Sequence, residues 1–321
     1  MKTGVVCASL FASVSLVGCA YMAVSTAPPK QASTKRTEAA LKADAQFWEV
    51  FHAGKYDDIA AVLNAETAAY LEDPNDAVTA AHVGWLHIWR LSERARLEVI
   101  PATITDDATV SRKYFQEAVT LDPGDARYLG FLAAATLAEG TIHRDEKETR
   151  QGYFQMLDAI DAWPEFNLFT AGYTLSQQPF DSERYAQAVE WQWRTLDVCA
   201  GEPVSRSNPD YARYMKLATT TGRKRVCWNS AIAPHNFEGF FLNMGDMLVK
   251  AGDWKTAQKI YADAKLSPTY GQWKYRGVLE QRIANAEANV AAFRVGDPKR
   301  DGASPRMMFV STLSCMGCHQ D

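Results

Sequence analysis

His235–Trp254 reads "HNFEGFFLNMGDMLVKAGDW". Phe237, Phe240, Phe241, Met244, Met247 and Leu248 recur three or four residues apart, a spacing that places them on one face of an α-helix. After Ala251-Gly252-Asp253 the phase restarts. Ala257, Ile260, Tyr261 and Ala264 line a second helix, which Ser267-Pro268 ends. Two short helices joined by a glycine turn cannot each bury a face alone, so they must pack on one another and then on neighbours.

Outward from this hairpin, apolar spacing through the middle of the chain stays helical, with no sustained period-two alternation and no strand–turn–strand signature. The expected fold class is all-α. A chain of 321 residues with a hydrophobic share of 47 % can bury a substantial core. A net charge of −4 and the lack of a dense Lys/Arg stripe argue against nucleic-acid binding through counterion release.

The hairpin resembles the tetratricopeptide repeat, a helix–turn–helix unit of about 34 residues. The residues that carry the likeness are Gly245, Gly252, Trp254, Ala257, Tyr261, Ala264 and Pro268. Small residues at 245, 257 and 264 permit close helix approach, and large ones fill the groove between. Weaker echoes occur in "AGKYDDIAAVLNAETAAYLEDPNDA" with Pro74, in "SRKYFQEAVTLDPGDARYLGFLAAATLAEG" with Pro123, and in "FDSERYAQAVEWQWRTLD". The intervals between Pro74, Pro123 and Pro268 are not multiples of one period. The expectation is an irregular α-solenoid of helix–turn–helix pairs over residues 37–293, with insertions near 97–107 and 200–225; a helical bundle of another topology is the alternative. The resemblance implies a concave surface that binds a protein partner, and it names no ligand. Trp85, Trp89, Trp191 and Trp193 either line that surface or sit in the core.

The histidines of this body suggest no metal pair. His82 and His87 lie five apart in "AHVGWLHIWRL" and so point to different faces of one helix, and His235 reads as a turn or capping element. No His-Glu-x-x-His helix, Gly-rich phosphate loop or Gly-x-Ser-x-Gly elbow occurs, which leaves hydrolase and nucleotide readings without support.

The chain opens with "MKTGVVCASLFASVSLVGCA", one Lys followed by an apolar run shorter than the roughly 20 residues that span a membrane. Residues 1–18 read as an export signal. Leu16-Val17-Gly18-Cys19 resembles the lipobox of bacterial lipoproteins, which implies acylation of Cys19 and, with Ala20 next, an outer-membrane anchor facing the periplasm. Residues 19–36 then read as a flexible tether. With Cys7 in the signal and Cys19 carrying lipid, four thiols remain. In an oxidising compartment Cys199 and Cys227 can bridge the segment between them, a closure worth roughly 3–4 kcal/mol in chain-entropy terms; two separate buried thiols are the alternative.

The other two thiols lie in Cys315-Met316-Gly317-Cys318-His319, whose Cys-x-x-Cys-His spacing is that of c-type haem attachment. Two thiols add across the porphyrin vinyl groups, and the adjacent imidazole of His319 reaches the iron from the proximal side. Soluble proteins of the cytochrome c family carry this motif near the start of a small domain. Here only Gln320 and Asp321 follow it, so a haem must be shielded by the solenoid or by a partner. The tail over 294–321 is polar and rich in Gly and Pro before it turns apolar at Met307-Met308-Phe309-Val310. Met307 or Met308 is a candidate distal iron ligand, or these residues dock the tail in a groove. The same Met307, Met308, Cys315, Cys318 and His319 also suit copper, as Cu(I); a dithiol–disulfide pair and a zinc site are further alternatives. Two functional expectations follow. One is a lipid-anchored haem c protein for electron transfer whose body docks a redox partner. The other is a scaffold whose terminal cluster binds copper or forms a disulfide.

Overall fold

The computed structural model describes residues 19–94, 97–228, 237–295 and Met307. Among these residues the regular structure is helical throughout, with no strand. A helical segment at 19–25 is followed by α1 (Glu38–His52), α2 (Ile59–Glu72), α3 (Ala77–Ser92), α4 (Asp106–Leu121), α5 (Ala126–His143) and α6 (Glu146–Ala162). Then come α7 (Pro164–Leu175), α8 (Glu183–Ala200), α9 (Phe237–Ala251), α10 (Trp254–Asp263), α11 (Arg276–Ala284) and α12 (Asn289–Arg294).

Side-chain caps start many of these helices. Thr37, Asp76, Asp145, Ser182 and Asp253 each accept a hydrogen bond from a backbone N–H of the first turn, satisfying donors that have no partner inside the helix. Sequence-adjacent helices pack into hairpins: α1 on α2, α3 on α4, α5 on α6, α7 on α8 and α9 on α10. Each hairpin also packs on the next, the arrangement of an all-α solenoid. The α9–α10 hairpin is the one the opening stretch specifies. Gly252 takes φ +101° in its turn, a conformation that only glycine adopts at low cost, and Ala257, Tyr261 and Ala264 are fully buried on the crossing.

Two turns are near copies of one another. In Asp73-Pro74-Asn75-Asp76, between α2 and α3, the Asp73 carboxylate accepts from Asn75 N at 3.0 Å and the Asp76 carboxylate accepts from Val78 N at 3.0 Å. In Asp122-Pro123-Gly124-Asp125, between α4 and α5, the Asp122 carboxylate accepts from Gly124 N at 3.2 Å and that of Asp125 from Arg127 N at 3.0 Å. The Pro ends one helix, and the second Asp starts the next. The register of two successive units is thereby set. Counted from these turns, Glu66 corresponds to Phe115 and His82 to Phe131.

Within the segment 19–36, expected as a tether, the second half makes contacts with the body. Lys30 Nζ lies 2.9 Å from Glu117 Oε2, Ser33 N donates to Asn75 O at 3.0 Å, and Arg36 Nε lies 2.8 Å from Asp76 Oδ2. The basic residues of this segment meet carboxylates on α4 and at the α2–α3 turn, so the chain lies along the body from Lys30 onward. The insertion after α8 is likewise packed. Tyr211, Tyr214 and Val204 are buried with Phe240 and Phe241 of α9, and Cys199 is joined to Cys227 by a disulfide with Cα atoms 5.8 Å apart.

Candidate functional site

A cavity of about 830 Å³ lies where α3 to α8 converge. Its inner wall is aromatic. Trp85 of α3 meets Phe131 of α5 edge-on at 4.5 Å, and Phe115 of α4 lies 5.4 Å from Phe131. Phe169 and Tyr173 of α7 pack at 4.6 Å on another side, and Ile88, Leu91, Ile104, Leu137 and Leu175 complete the apolar lining. Helix spacing explains the convergence, since Phe131, Ala134 and Ala138 rise up one face of α5 and the small alanines leave the space open.

The rim differs in character. Ile142 and Phe154 are 37 % and 61 % exposed there, beside Arg94, Arg150 and Arg184. Arg184 lies over the Tyr153 ring, with its Cζ 3.7 Å from the centroid, a cation–π contact that holds the guanidinium at the opening. Arg150 pairs with Glu146 at 2.8 Å on an exposed helix turn, where such pairs are weak. The rim thus carries three guanidinium groups against one carboxylate, in a chain whose net charge is −4. Within the wall, the buried hydroxyl of Thr170 has no hydrogen-bond partner among the described residues. Behind Gln178, Lys250 donates to the carbonyls of Ser176 and Gln178, each at 2.9 Å, and burial pushes its ammonium down to about 8.

A second concentration of polar groups holds the N-terminal helices together. His82 Nδ1 lies 3.1 Å from Glu66 Oε1 and 3.2 Å from Asp44 Oδ1, while its ring stacks on Phe47 at 4.0 Å. Burial raises the Glu66 carboxyl above its ordinary range, against the opposing hydrogen bond from His82. His87 lies separately, 2.6 Å from Asp107. Among the described residues no group of three or more His, Cys, Asp and Glu side chains has metal-holding geometry.

The residues singled out by sequence fall in several places. Cys19 is exposed on the helical segment 19–25. Cys199 and Cys227 are bonded to one another. Met307 is half-buried against the C-terminal core cluster. Met308, Cys315, Cys318 and His319 lie outside the described residues. Of the four tryptophans considered for a concave surface, Trp89, Trp191 and Trp193 are core, and Trp85 lines the cavity. Sequence reading did not find the cavity itself, because its walls come from six helices and no motif links them. The signal present in the sequence was a pair of apolar side chains, Ile142 and Phe154, set among charged neighbours where helix faces are otherwise polar.

No family model, curated protein or solved structure matches this chain. No described helix is long and apolar enough to cross a membrane.

Proposed function

We propose that this chain is an exported protein of the bacterial cell envelope, anchored by lipid on Cys19 to the outer membrane and facing the periplasm. In this reading it carries one covalent haem c in its C-terminal tail for electron transfer. Cys315 and Cys318 form the thioethers, His319 is the proximal iron ligand, and Met307 or Met308 supplies the distal one. When bound, the haem supplies a one-electron carrier. The tetratricopeptide-like body holds a redox protein beside it.

The Cys-x-x-Cys-His motif carries the proposal, and the Cys199–Cys227 bond supports it. Disulfides persist where chains are exported, and haem is attached to such motifs outside the bacterial cytoplasm. With Cys199 and Cys227 consumed, the thiols left in the mature chain besides Cys19 are the two the porphyrin needs. The donor set of two thiols and one imidazole fits the group. Met307, packed on the C-terminal core, brings the middle of the tail to the body. Cys315 follows it by eight residues, a fully extended reach of no more than about 29 Å, so the motif stays within range of a surface that can shield it.

Expression of the full precursor with and without haem-attachment machinery tests this. A pyridine haemochrome spectrum and a haem-stained gel band are expected only with the machinery, and Cys315→Ala with Cys318→Ala should remove both while leaving helix content unchanged. A colourless product under competent maturation would refute electron transfer. It would leave the scaffold reading, in which Met307, Met308, Cys315, Cys318 and His319 bind copper or the two thiols form a disulfide.

A further inference from the structure

We infer that the cavity between α3 and α8 is a binding site for a long-chain carboxylic acid, with the hydrocarbon inside and the carboxylate at the arginine rim. The inference goes beyond the haem proposal and does not depend on it.

The volume of about 830 Å³ lies in the upper part of the range of roughly 300–1,000 Å³ in which small-molecule sites fall. Aromatic and aliphatic surface on this scale, left open to water, carries a free-energy cost that grows with its apolar area. An occupant that is itself apolar removes that cost. Trp85, Phe115, Phe131 and Phe169 offer it no charged partner, so its inner part must be uncharged.

The opening fixes the other end. Arg94, Arg150 and Arg184 outnumber the single carboxylate of Glu146, and this local excess of positive charge runs against the acidic balance of the whole chain. A guanidinium presents five donors in a planar fork that suits a carboxylate, and the bonds seen at Arg150 and Arg184 engage part of each set. Ile142 and Phe154, exposed beside them, extend the apolar path outward to the rim. The surface is therefore apolar within and cationic at the mouth, complementary to a single-chain amphiphile bearing one negative charge. A neutral lipid would leave the arginines unused, and a small anion would leave the aromatic wall wet.

The test takes the mature full-length protein, freed of lipid, and titrates palmitate against hexadecanol, the uncharged analogue of the same length, following tryptophan emission. Palmitate is expected to saturate one site and to bind at least tenfold tighter than hexadecanol, a difference of about 1.4 kcal/mol. Trp85→Phe should remove most of the signal change. Ala134→Trp and Ala138→Trp, both on the half-open face of α5, should fill the space and abolish binding. Arg150→Gln with Arg184→Gln should weaken palmitate at least tenfold while the protein keeps its helix content and a cooperative unfolding transition.

Equal affinity for palmitate and hexadecanol would overturn the carboxylate assignment. Undiminished palmitate binding by a folded Ala134→Trp or Ala138→Trp protein would overturn the location. The Cys315→Ala/Cys318→Ala protein should bind palmitate as the parent does, so loss of haem and loss of this site are read separately; if that protein fails to bind, the cavity alone is not the site.

Discussion

Tyr261 of α10 lies so close across Gly245 of α9 that a Cβ built on the glycine falls 2.2 Å from the ring Cε1, and the Tyr261 hydroxyl donates to Asp246 at 2.7 Å. Arg282 of α11 donates to the same carboxylate oxygen at 3.0 Å. One crossing thus joins the hairpin that the opening stretch specifies to the helix that follows it.

Gly245→Ala is expected to destabilise the protein by about 1–3 kcal/mol, the usual cost of overpacking, because neither the buried ring nor the α9 backbone can withdraw. The gain in helix propensity, up to about 1 kcal/mol, offsets part of this. Urea unfolding measures the difference, and Gly245→Ala should cost less in a Tyr261→Leu background than in the parent, the coupling expected of two side chains in contact. An unchanged or higher midpoint for Gly245→Ala alone would mean that the crossing is looser than its geometry.

The hairpin and the all-α class were legible because helix period, a glycine turn and small residues at contact positions are all local signals. Pro74 and Pro123 were legible as breaks, and the Asp-Pro-x-Asp turns around them account for why these two units share one register. Long-range placement was not legible. Nothing in the apolar spacing of α3 says that Trp85 faces a cavity while Trp89, one turn on, is core, since that depends on where α4 and α5 cross. The docking of Lys30 and Arg36 was hidden for a related reason: their carboxylate partners, Glu117 and Asp76, lie 87 and 40 residues away.

The turn register makes His82 and Glu66 the counterparts of Phe131 and Phe115. One unit therefore fills its crossing with a buried acid and an imidazole, and the next fills it with two aromatic rings. His82→Ala should cost roughly 3–5 kcal/mol, because it leaves Glu66 buried without its partner. The double change His82→Phe with Glu66→Leu, which imitates the next unit, should be neutral or stabilising. A double-mutant cycle by thermal unfolding checks this, and a double variant no better than His82→Ala would show that the polar pair is needed for the crossing itself.

Cys199→Ala with Cys227→Ala should cost roughly 3–4 kcal/mol by freeing the loop closed across a sequence separation of 28. Its first consequence should be local. Val204, Tyr211 and Tyr214 pack on α9 through this loop, so hydrogen exchange should rise across residues 201–228 before it rises in α3 or α5. Uniform loss of protection along the whole chain would show that the loop and the body unfold as one unit.

Thr170 offers a change expected to stabilise. Its buried hydroxyl has no protein partner among the described residues, so Thr170→Val removes a desolvated polar group at nearly constant volume and should raise stability by about 1 kcal/mol. A fall in melting temperature would show that the hydroxyl bonds to ordered water in the cavity.

Two buried ionisable groups give the stability a pH dependence that variants can isolate. Asp263, at the end of α10, has its carboxyl pushed up to about 7, first by burial, with Asp210 adding to the rise and a backbone hydrogen bond from Tyr211 opposing it. The folded state then holds this proton more tightly than the unfolded chain, whose carboxyl titrates near 3.9. Between those values stability falls as pH rises, by at most about 4 kcal/mol, and the penalty is complete above pH 7. Lys250 is the opposite case: burial lowers its ammonium to about 8, so the folded state binds the proton less tightly, the penalty is complete below pH 8, and stability is regained as pH rises towards the ordinary lysine value. Asp263→Asn should remove the decline between pH 4 and 7 relative to the parent and leave the alkaline rise in place. Urea midpoints measured across pH 4–10 for both proteins decide this, and parallel curves through the acid window would show that Asp263 ionises as freely in the fold as in the unfolded chain.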